Sequence, residues 1–272
     1  MRRIPLLAAL LTVGAGCRAP APVPAPLAVP RPEPRASEPR AASEAGPEPP
    51  ARFELALPAG WSALRPAAFE EALARWNPLG LPGALEARDL DDLVRALDGG
   101  VDVALRAVLL LAASRAPEAR AALRARLERR LRTAEATFPA VDVAVAAALG
   151  RVGEPAEAAA LEDLARGRRP HPRLAVRAEC AAASLALGRA GTAPLLLALL
   201  REGTPAQAAR PAFPRGVEPL ESLGFAQWRA AEALAQHVGV PNPYRPEAPA
   251  AERARAAQEL ERALAARTAN RP

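Results

Sequence analysis

The motif Leu-Gly-Arg-X-Gly occurs twice in this chain, at residues 149–153 and 187–191, each time after an alanine-rich run and before another apolar one. The interval from Leu149 to Leu187 also separates Leu111 from Leu149, and it recurs in a second set of leucines, Leu123, Leu161 and Leu199. Self-similarity at a constant period of this length is typical of repeat architectures, in which each unit packs against its neighbours. The spacing therefore predicts an all-α solenoid rather than a conventional globular core.

Each repeat unit is predicted to be a pair of antiparallel helices. In the segment RLAVRAECAAASLALG, residues 173–188, the apolar positions recur at steps of four and three and share one helical face. These positions are Leu174, Ala178, Ala181 and Leu185, and Arg173, Arg177 and Ser184 are expected to lie away from that face. The following segment LLLALL is apolar on every side, so its helix is expected to lie inside, between neighbours.

The boundaries of these helices are predicted from glycine and proline. Gly188 and Gly191 are expected to end one helix, because glycine readily adopts the left-handed conformation found there. Pro117, Pro155 and Pro194 are each expected in the first turn of a second helix, where a missing N–H costs no hydrogen bond. The recurring Gly-Arg-X-Gly is thus predicted to be the corner of each hairpin.

The segment VRAECAAASLALGRAGTAPLLLALL, residues 176–200, resembles a HEAT repeat of the short bacterial type. The segment WRAAEALAQHVG, residues 228–239, is similar in its opening, with Trp228 in place of valine. The resemblance extends over about residues 100–270 and is strongest at 141–202. It implies an α-solenoid of antiparallel helical hairpins (HEAT/armadillo-like) with a concave face, and a role in protein–protein binding or scaffolding.

Capping segments are expected at both ends of the repeats. Residues 51–99 contain one extended piece, FELALPAGW, followed by two short amphipathic helices in PAAFEEALARW and LEARDLDDLVRALDGG. Residues 100–272 form the repeats and end in a charged helix, whose expected buried stripe is Ala256, Leu260, Ala263 and Leu264. Charged outer faces on terminal helices keep a solenoid soluble.

The N-terminus MRRIPLLAALLTVGAGC has the three parts of a secretory signal, namely a charged start, a short apolar run and small residues. VGAGC resembles a bacterial lipobox, although Gly14 stands where leucine is commoner. The resemblance implies cleavage of residues 1–16, lipidation of Cys17 and, because Arg18 follows, placement at the outer membrane. An ordinary signal peptide with an incidental Cys17 is the alternative. If Cys17 carries lipid, Cys180 has no partner for an intramolecular disulfide.

Residues 17–50 are expected to be a disordered tether. Eleven prolines lie within residues 18–50, and no periodic apolar face exists there to offset the entropy of ordering. The four arginines and four glutamates of this segment cancel in charge. The chain as a whole carries +6, from 36 arginines and 30 acidic residues with no lysine, which is a modest excess.

Signs of catalysis are few. His171 lies between prolines and is predicted to be a solvated loop residue, and His237 is predicted to end a helix, where the dipole favours a cation. Asp89, Asp91 and Asp92 lack the spacing of a calcium loop, and Cys180 is expected to be a packed residue rather than a nucleophile. We therefore expect no enzymatic activity, no cofactor and no metal.

Two arginine-rich segments and two irregular links are the candidate partner-binding positions. RARLERRLR (124–132) and RGRRPHPR (166–173) lie in successive hairpins and could converge, giving Arg129, Arg168, Arg169 and Arg173 as candidates. Part of that charge is expected to be paired, because Glu128 lies four residues from both Arg124 and Arg132. Phe213 and Tyr244 lie in proline-containing links and are candidates of a second kind, with packing as the alternative.

The function expected from the sequence is a membrane-anchored, extracytoplasmic module that binds or scaffolds an unidentified protein partner. Two alternatives stay open. One is an assembly or maturation factor with ligand-binding or lyase-like activity, as in the bilin-lyase branch of HEAT-like proteins, although no residue here maps onto a site of that branch. The other is an arginine patch that binds an anion or nucleic acid, and nucleic acid is a poor target for a chain that leaves the cytoplasm.

Overall fold

The computed structural model describes residues 53–78, 80–129, 139–201 and 220–269. The N-terminal part contains strand β1 (Phe53–Leu55), helix α1 (Pro66–Trp76), strand β2 (Gly83–Leu85) and helix α2 (Ala87–Ala96). β1 and β2 pair in parallel, with Phe53 opposite Gly83. The structure has a strand at the start of the predicted extended piece and a helix in each of the two predicted helical segments, whereas β2 was not anticipated.

Helices make up the rest of the described chain. They are α3 (Val101–Ser114), α4 (Pro117–Arg129), α5 (Ala140–Val152), α6 (Pro155–Arg166), α7 (Leu174–Ala186), α8 (Ala193–Arg201), α9 (Leu220–Val238) and α10 (Ala250–Ala269), with a 3-10 turn at Ala190–Thr192 between α7 and α8. Over the described residues the fold is therefore all-α apart from the short strand pair, as the sequence predicts.

The helices fall into two alternating sets. The first helices α3, α5, α7 and α9 contact one another in chain order, α3 with α5, α5 with α7, and α7 with α9. The second helices α4, α6, α8 and α10 each contact the first helix that precedes them, and α4, α6 and α8 also contact the one that follows. α4, α6 and α8 begin at Pro117, Pro155 and Ala193, so the two steps between their starts are equal.

The first helices are more deeply buried than the sequence predicts. In α7 every residue from Leu174 to Leu185 is buried except Arg177, which is half-buried. Ser184 is fully buried, and its hydroxyl donates to the carbonyl oxygen of Ala158 at 2.8 Å. The expectation that Arg173 and Ser184 lie away from the packed face is wrong, because α5, α6, α8 and α9 all contact α7.

Helix α8 is less buried than the sequence predicts. Its all-round apolar sequence predicts an interior helix, but only Ala193, Leu196, Leu199 and Leu200 are buried. Leu195 and Leu197 are partly buried against the core, and Ala198 is exposed. α8 therefore has an outer face, and the interior positions belong to the alanine-rich α5 and α7.

The two copies of Gly-Arg-X-Gly adopt different structures. Gly188 has φ +95° and ends α7, as predicted. Gly150 instead lies within α5, which continues to Val152 and turns at Gly153. A Cβ at Gly150 would lie 2.6 Å from the Cβ of Ala183, so this glycine permits close contact between α5 and α7. The prediction that both copies are hairpin corners is correct for the second copy and wrong for most of the first.

The C-terminal helix follows its prediction in part. Ala256 and Leu260 are buried, Ala263 and Leu264 are half-buried, and Ala257 is an additional buried position. α10 contacts both α9 and α8, so it covers the last hairpin.

Candidate binding surface

An open groove lies between α6 and the corner that joins α7 to α8. Its volume is about 530 Å³, and it is lined by Ala159, Glu162, Asp163, Arg166, Gly167 and Arg189. Four of these six residues carry a charge at neutral pH. We call this surface the Glu162 groove.

Glu162 joins two arginines across the groove. Its Oε1 accepts a hydrogen bond from Nε of Arg166 at 3.1 Å, and its Oε2 accepts from Nε of Arg189 at 2.9 Å and contacts Nη2 of Arg189 at 2.8 Å. The hydrogen bond from Arg166 is the main reason why the pKa of Glu162 lies below its ordinary value; partial burial opposes this, and Arg189 lowers the pKa further. The carboxylate is therefore held ionised between two guanidinium groups.

Local sequence explains how these side chains meet. Glu162 and Arg166 lie four residues apart on α6, which places them on one face of the helix. The left-handed turn at Gly188 reverses the chain, and Arg189 follows it directly. A Cβ at Gly191 would lie 3.1 Å from Nη2 of Arg166, so the absence of a side chain there leaves room for the guanidinium.

Arg168 and Arg169 follow Gly167 of the groove and are exposed. Both were predicted as candidate binding residues, and their exposure is compatible with that role. The lining of the groove itself contains two arginines, Arg166 and Arg189, and two acidic residues, Glu162 and Asp163.

Arg173 and His171 lie inside the molecule. The backbone N–H of His171 donates to the carbonyl oxygen of Leu164 at 2.8 Å, which draws the loop back onto α6, and the ring is 1 % exposed. Its Nδ1 accepts from the backbone N–H of Arg173 at 3.2 Å, and Arg173 is itself 6 % exposed. The prediction of a solvated His171 is wrong, and Arg173 is not on the surface as a partner-binding candidate would be.

Tyr244 is a packed residue as well. Its side chain is 4 % exposed, and its hydroxyl donates to Oε1 of Gln227 at 3.0 Å. Nε2 of Gln227 in turn donates to the carbonyl oxygen of Leu199, which ties the link after α9 to α8. Burial raises the pKa of Tyr244, against a smaller opposing effect of Arg253. The structure thus favours packing over partner contact for Tyr244.

The first arginine-rich segment is largely neutralised within the described residues. Arg126 is buried and contacts Asp98 and Asp142, with its Nε 3.3 Å from Oδ1 of Asp142. Arg129 is half-exposed with its Nη1 3.9 Å from Oδ2 of Asp98, and Arg124 pairs with Glu128 at 3.7 Å as predicted. Arg130 and Arg132 lie outside the described residues. The described arginines of this segment are therefore paired with acidic residues, and Arg126 joins α4 to α5.

A buried ion pair joins α7 to α9, and sequence reasoning missed it. Nε of Arg229 donates to Oε2 of Glu179 at 2.7 Å, and Glu179 is fully buried. Burial disfavours the charged Arg229, but Glu179 more than compensates, so the pKa of Arg229 is raised. Such pairs are invisible in a single sequence because the two residues lie 50 positions apart.

Cys180, beside Glu179, is buried and free. Burial raises the pKa of its thiol, and the negative charges of Glu179 and Asp142 add to that effect. The thiol is thus held protonated, in agreement with the prediction of a packed residue rather than a nucleophile.

The remaining candidates are placed as follows. His237 lies in the last turn of α9, as predicted. Asp89 lies in the first turn of α2, and its Oδ2 accepts from the backbone N–H of Leu57 at 3.1 Å. Among the described residues, no group of His, Cys, Asp and Glu is arranged to hold a metal ion. Cys17 and Phe213 lie outside the described residues.

Comparison with protein-family models, curated proteins and solved structures found no significant match. In the part of the chain that the structure describes, none of the helices combines the length and the apolar character needed to cross a bilayer.

Proposed function

We propose that this chain is a lipid-anchored, extracytoplasmic protein-binding module built as a HEAT-like α-solenoid. The observation that carries the proposal is the order of the helix contacts. The first helices α3, α5, α7 and α9 meet one after another, and α4, α6 and α8 begin at a constant spacing along the chain. Stacked units of this kind produce extended surfaces that serve as docking sites for other proteins.

The placement of polar groups supports binding over catalysis. The buried polar side chains of Ser184, Gln227 and Glu179 are engaged in contacts between helices, where their chemistry serves packing. Charged side chains line the Glu162 groove, and two more lie exposed in the loop after it. A surface of this type suits recognition of a protein partner, and we propose neither an enzymatic activity nor a cofactor.

The membrane anchor rests on the lipobox-like VGAGC and on the proline-rich residues 18–50. Lipid on Cys17 would fix the chain to a membrane, and the tether would hold the helical part away from it. Incorporation of radiolabelled palmitate into the full chain, and its loss in Cys17→Ala, tests this part. Labelling that survives Cys17→Ala would contradict it.

The binding role is tested by cross-linking the full chain in native membranes and identifying covalently attached proteins by mass spectrometry. We expect one or a few proteins to be attached in near-stoichiometric amounts at physiological salt. A chain that is anchored and folded but shows no specific protein cross-link would contradict the proposed function.

A further inference from the structure

We propose that the Glu162 groove is the docking site for an acidic segment of the partner, whose carboxylate groups bind Arg166 and Arg189. This inference rests on the proposed function, because it names the site and the chemistry of that interaction. The groove also changes the set of candidate partner-binding residues, because Arg166 and Arg189 are added and the buried Arg173 is removed.

Arginines at the groove and in the loop after it favour an acidic partner. Arg166, Arg168, Arg169 and Arg189 are all exposed or half-exposed and lie at the groove or in the loop that leaves it. Among the described residues that line the groove, only Glu162 and Asp163 oppose them. The charges that line the groove balance, so the positive excess comes from Arg168 and Arg169 in the loop, where it attracts an acidic partner and accelerates its association.

The geometry of the groove suits a carboxylate, because the groove already holds one. Glu162 is bound by Arg166 and Arg189 together, so the two guanidinium groups converge on a space the size of a carboxylate. Their described contacts with Glu162 use Nε and Nη2. The side chains remain 42 % and 53 % exposed, so a second anion can reach both guanidinium groups from the solvent.

The acidic residues of the groove favour an acidic peptide over a phosphate polyanion. Glu162 and Asp163 lie in the groove itself, and their negative charge repels the closely spaced phosphates of a nucleic acid or an anionic membrane more than carboxylates that are spaced apart along a peptide. Aspartate and glutamate side chains spaced along a peptide can meet the arginines while avoiding these two acids. The mixed charge of the groove therefore fits an acidic peptide best.

The test uses the full chain in detergent and two fluorescein-labelled peptides of equal length. One peptide alternates Glu with Gly and Ser, and the other has Gln in place of every Glu. Fluorescence anisotropy should show binding of the Glu peptide, weakening as salt is raised, and at least about tenfold weaker binding of the Gln peptide. Equal binding of the two peptides, or binding of neither, would overturn the proposal.

Three variants locate the interaction. Arg189→Gln should weaken binding of the Glu peptide about tenfold, whereas Arg255→Gln, an exposed change on α10, should leave it unchanged. Glu162→Gln should strengthen binding several-fold, because it removes the internal carboxylate that competes for both arginines. A purely structural role of Glu162 would instead give weaker or unchanged binding, and either result would overturn the proposal.

Competition experiments distinguish the other anions. Vesicles rich in anionic lipid, or a single-stranded oligonucleotide, should compete weakly with the Glu peptide and independently of Arg189. If either binds more tightly than the peptide and loses that binding in Arg189→Gln, the groove recognises phosphate and the proposal is wrong. Circular dichroism of each variant verifies that the fold is retained.

The cross-linking experiment separates failure of this inference from failure of the proposed function. A partner that is captured by the wild-type chain and lost in Arg189→Gln supports both. A partner that is captured equally by Arg189→Gln and Arg255→Gln overturns the groove and leaves the binding function standing.

Discussion

Glu162 and Glu179 each bind arginine, but in opposite surroundings. Glu162 lies in an open groove between two half-exposed arginines, whereas Glu179 is fully buried against Arg229. An exposed pair contributes little to stability because water and salt screen it. A buried pair carries a large desolvation cost, so the loss of one partner is far more damaging than the net contribution of the pair.

Arg229→Met is expected to lower the free energy of unfolding by about 3–5 kcal/mol, because it leaves the Glu179 carboxylate buried without its counter-charge. The double variant Glu179→Met with Arg229→Met should recover most of that loss. Urea unfolding followed by circular dichroism measures both. Arg255→Met on the exposed face of α10 is the control and should change stability by less than about 0.5 kcal/mol. A double variant as unstable as the single one would contradict this account.

The pKa of Glu162 predicts a pH dependence with a definite sign. Because the folded-state pKa lies below the ordinary 4.5, the interactions of Glu162 stabilise the fold above that value and are lost as the pH falls through the folded-state pKa. The stability difference between wild type and Glu162→Gln should therefore be present at neutral pH and shrink progressively below pH 4.5. Urea unfolding across this range measures it. A difference that grows on acidification would show that the sign is wrong.

The sequence predicted the positions of individual residues correctly where the cause lies in the residue itself or in its immediate neighbours along the chain. The left-handed Gly188 and the first-turn prolines Pro117 and Pro155 follow from backbone preferences of single residues. His171 and Arg173 were misplaced because a loop hydrogen bond to Leu164 draws them inward. Arg189 was missed because it reaches Glu162 across 27 residues, which spacing along one helix cannot reveal.

Two glycines lie inside the described helices, Gly150 in α5 and Gly224 in α9, and only one of them is required by helix packing. Gly150 in α5 faces Ala183 of α7 so closely that a Cβ would lie 2.8 Å from its Cα. Gly224 in α9 has no described heavy atom within 4 Å of the position that a Cβ would occupy. The first is required by packing between helices, and the second only costs the helix conformational entropy.

Gly150→Ala should therefore destabilise the fold by about 1–3 kcal/mol, because the added methyl group forces α5 and α7 apart. Gly224→Ala is the matched control and should stabilise the fold by up to about 1 kcal/mol through helix propensity. Thermal unfolding of the two variants measures the difference. Equal effects of the two substitutions would mean that α5 and α7 are not in close contact.

The residues at which several helices begin were predictable from the sequence, but the extent to which each helix is buried was not. α6 begins at Pro155, and α1 covers the residues of PAAFEEALARW, because capping and periodicity are local signals. α7 is buried on nearly all sides and α8 on one, the reverse of what their hydropathy suggests. Burial depends on how many neighbours a helix has, and α7 has contacts with α5, α6, α8 and α9.

At the scale of the whole molecule, the constant period of the sequence has a physical origin. The second helices α4, α6 and α8 begin at this spacing, while the first helices α3, α5 and α7 begin at Val101, Ala140 and Leu174, with less regular steps. The number of residues between a second helix and the next first helix varies, whereas the segment that leads into each of α4, α6 and α8 is short. Alanine in α5 and α7 allows the first helices to lie close together, which keeps the core aliphatic and continuous.

The contact between Gly150 of α5 and Ala183 of α7 tests this order of helices most directly, because it can be measured in the wild-type chain. In a spectrum of the chain labelled at alanine methyl groups, we predict a strong nuclear Overhauser effect between the Hα protons of Gly150 and the methyl group of Ala183. The Hα protons of Gly224 should show no comparable cross-peak to Ala183. Absence of the Gly150–Ala183 cross-peak in a folded, helical protein would contradict the stacking of the first helices, and with it the α-solenoid on which the proposed function rests.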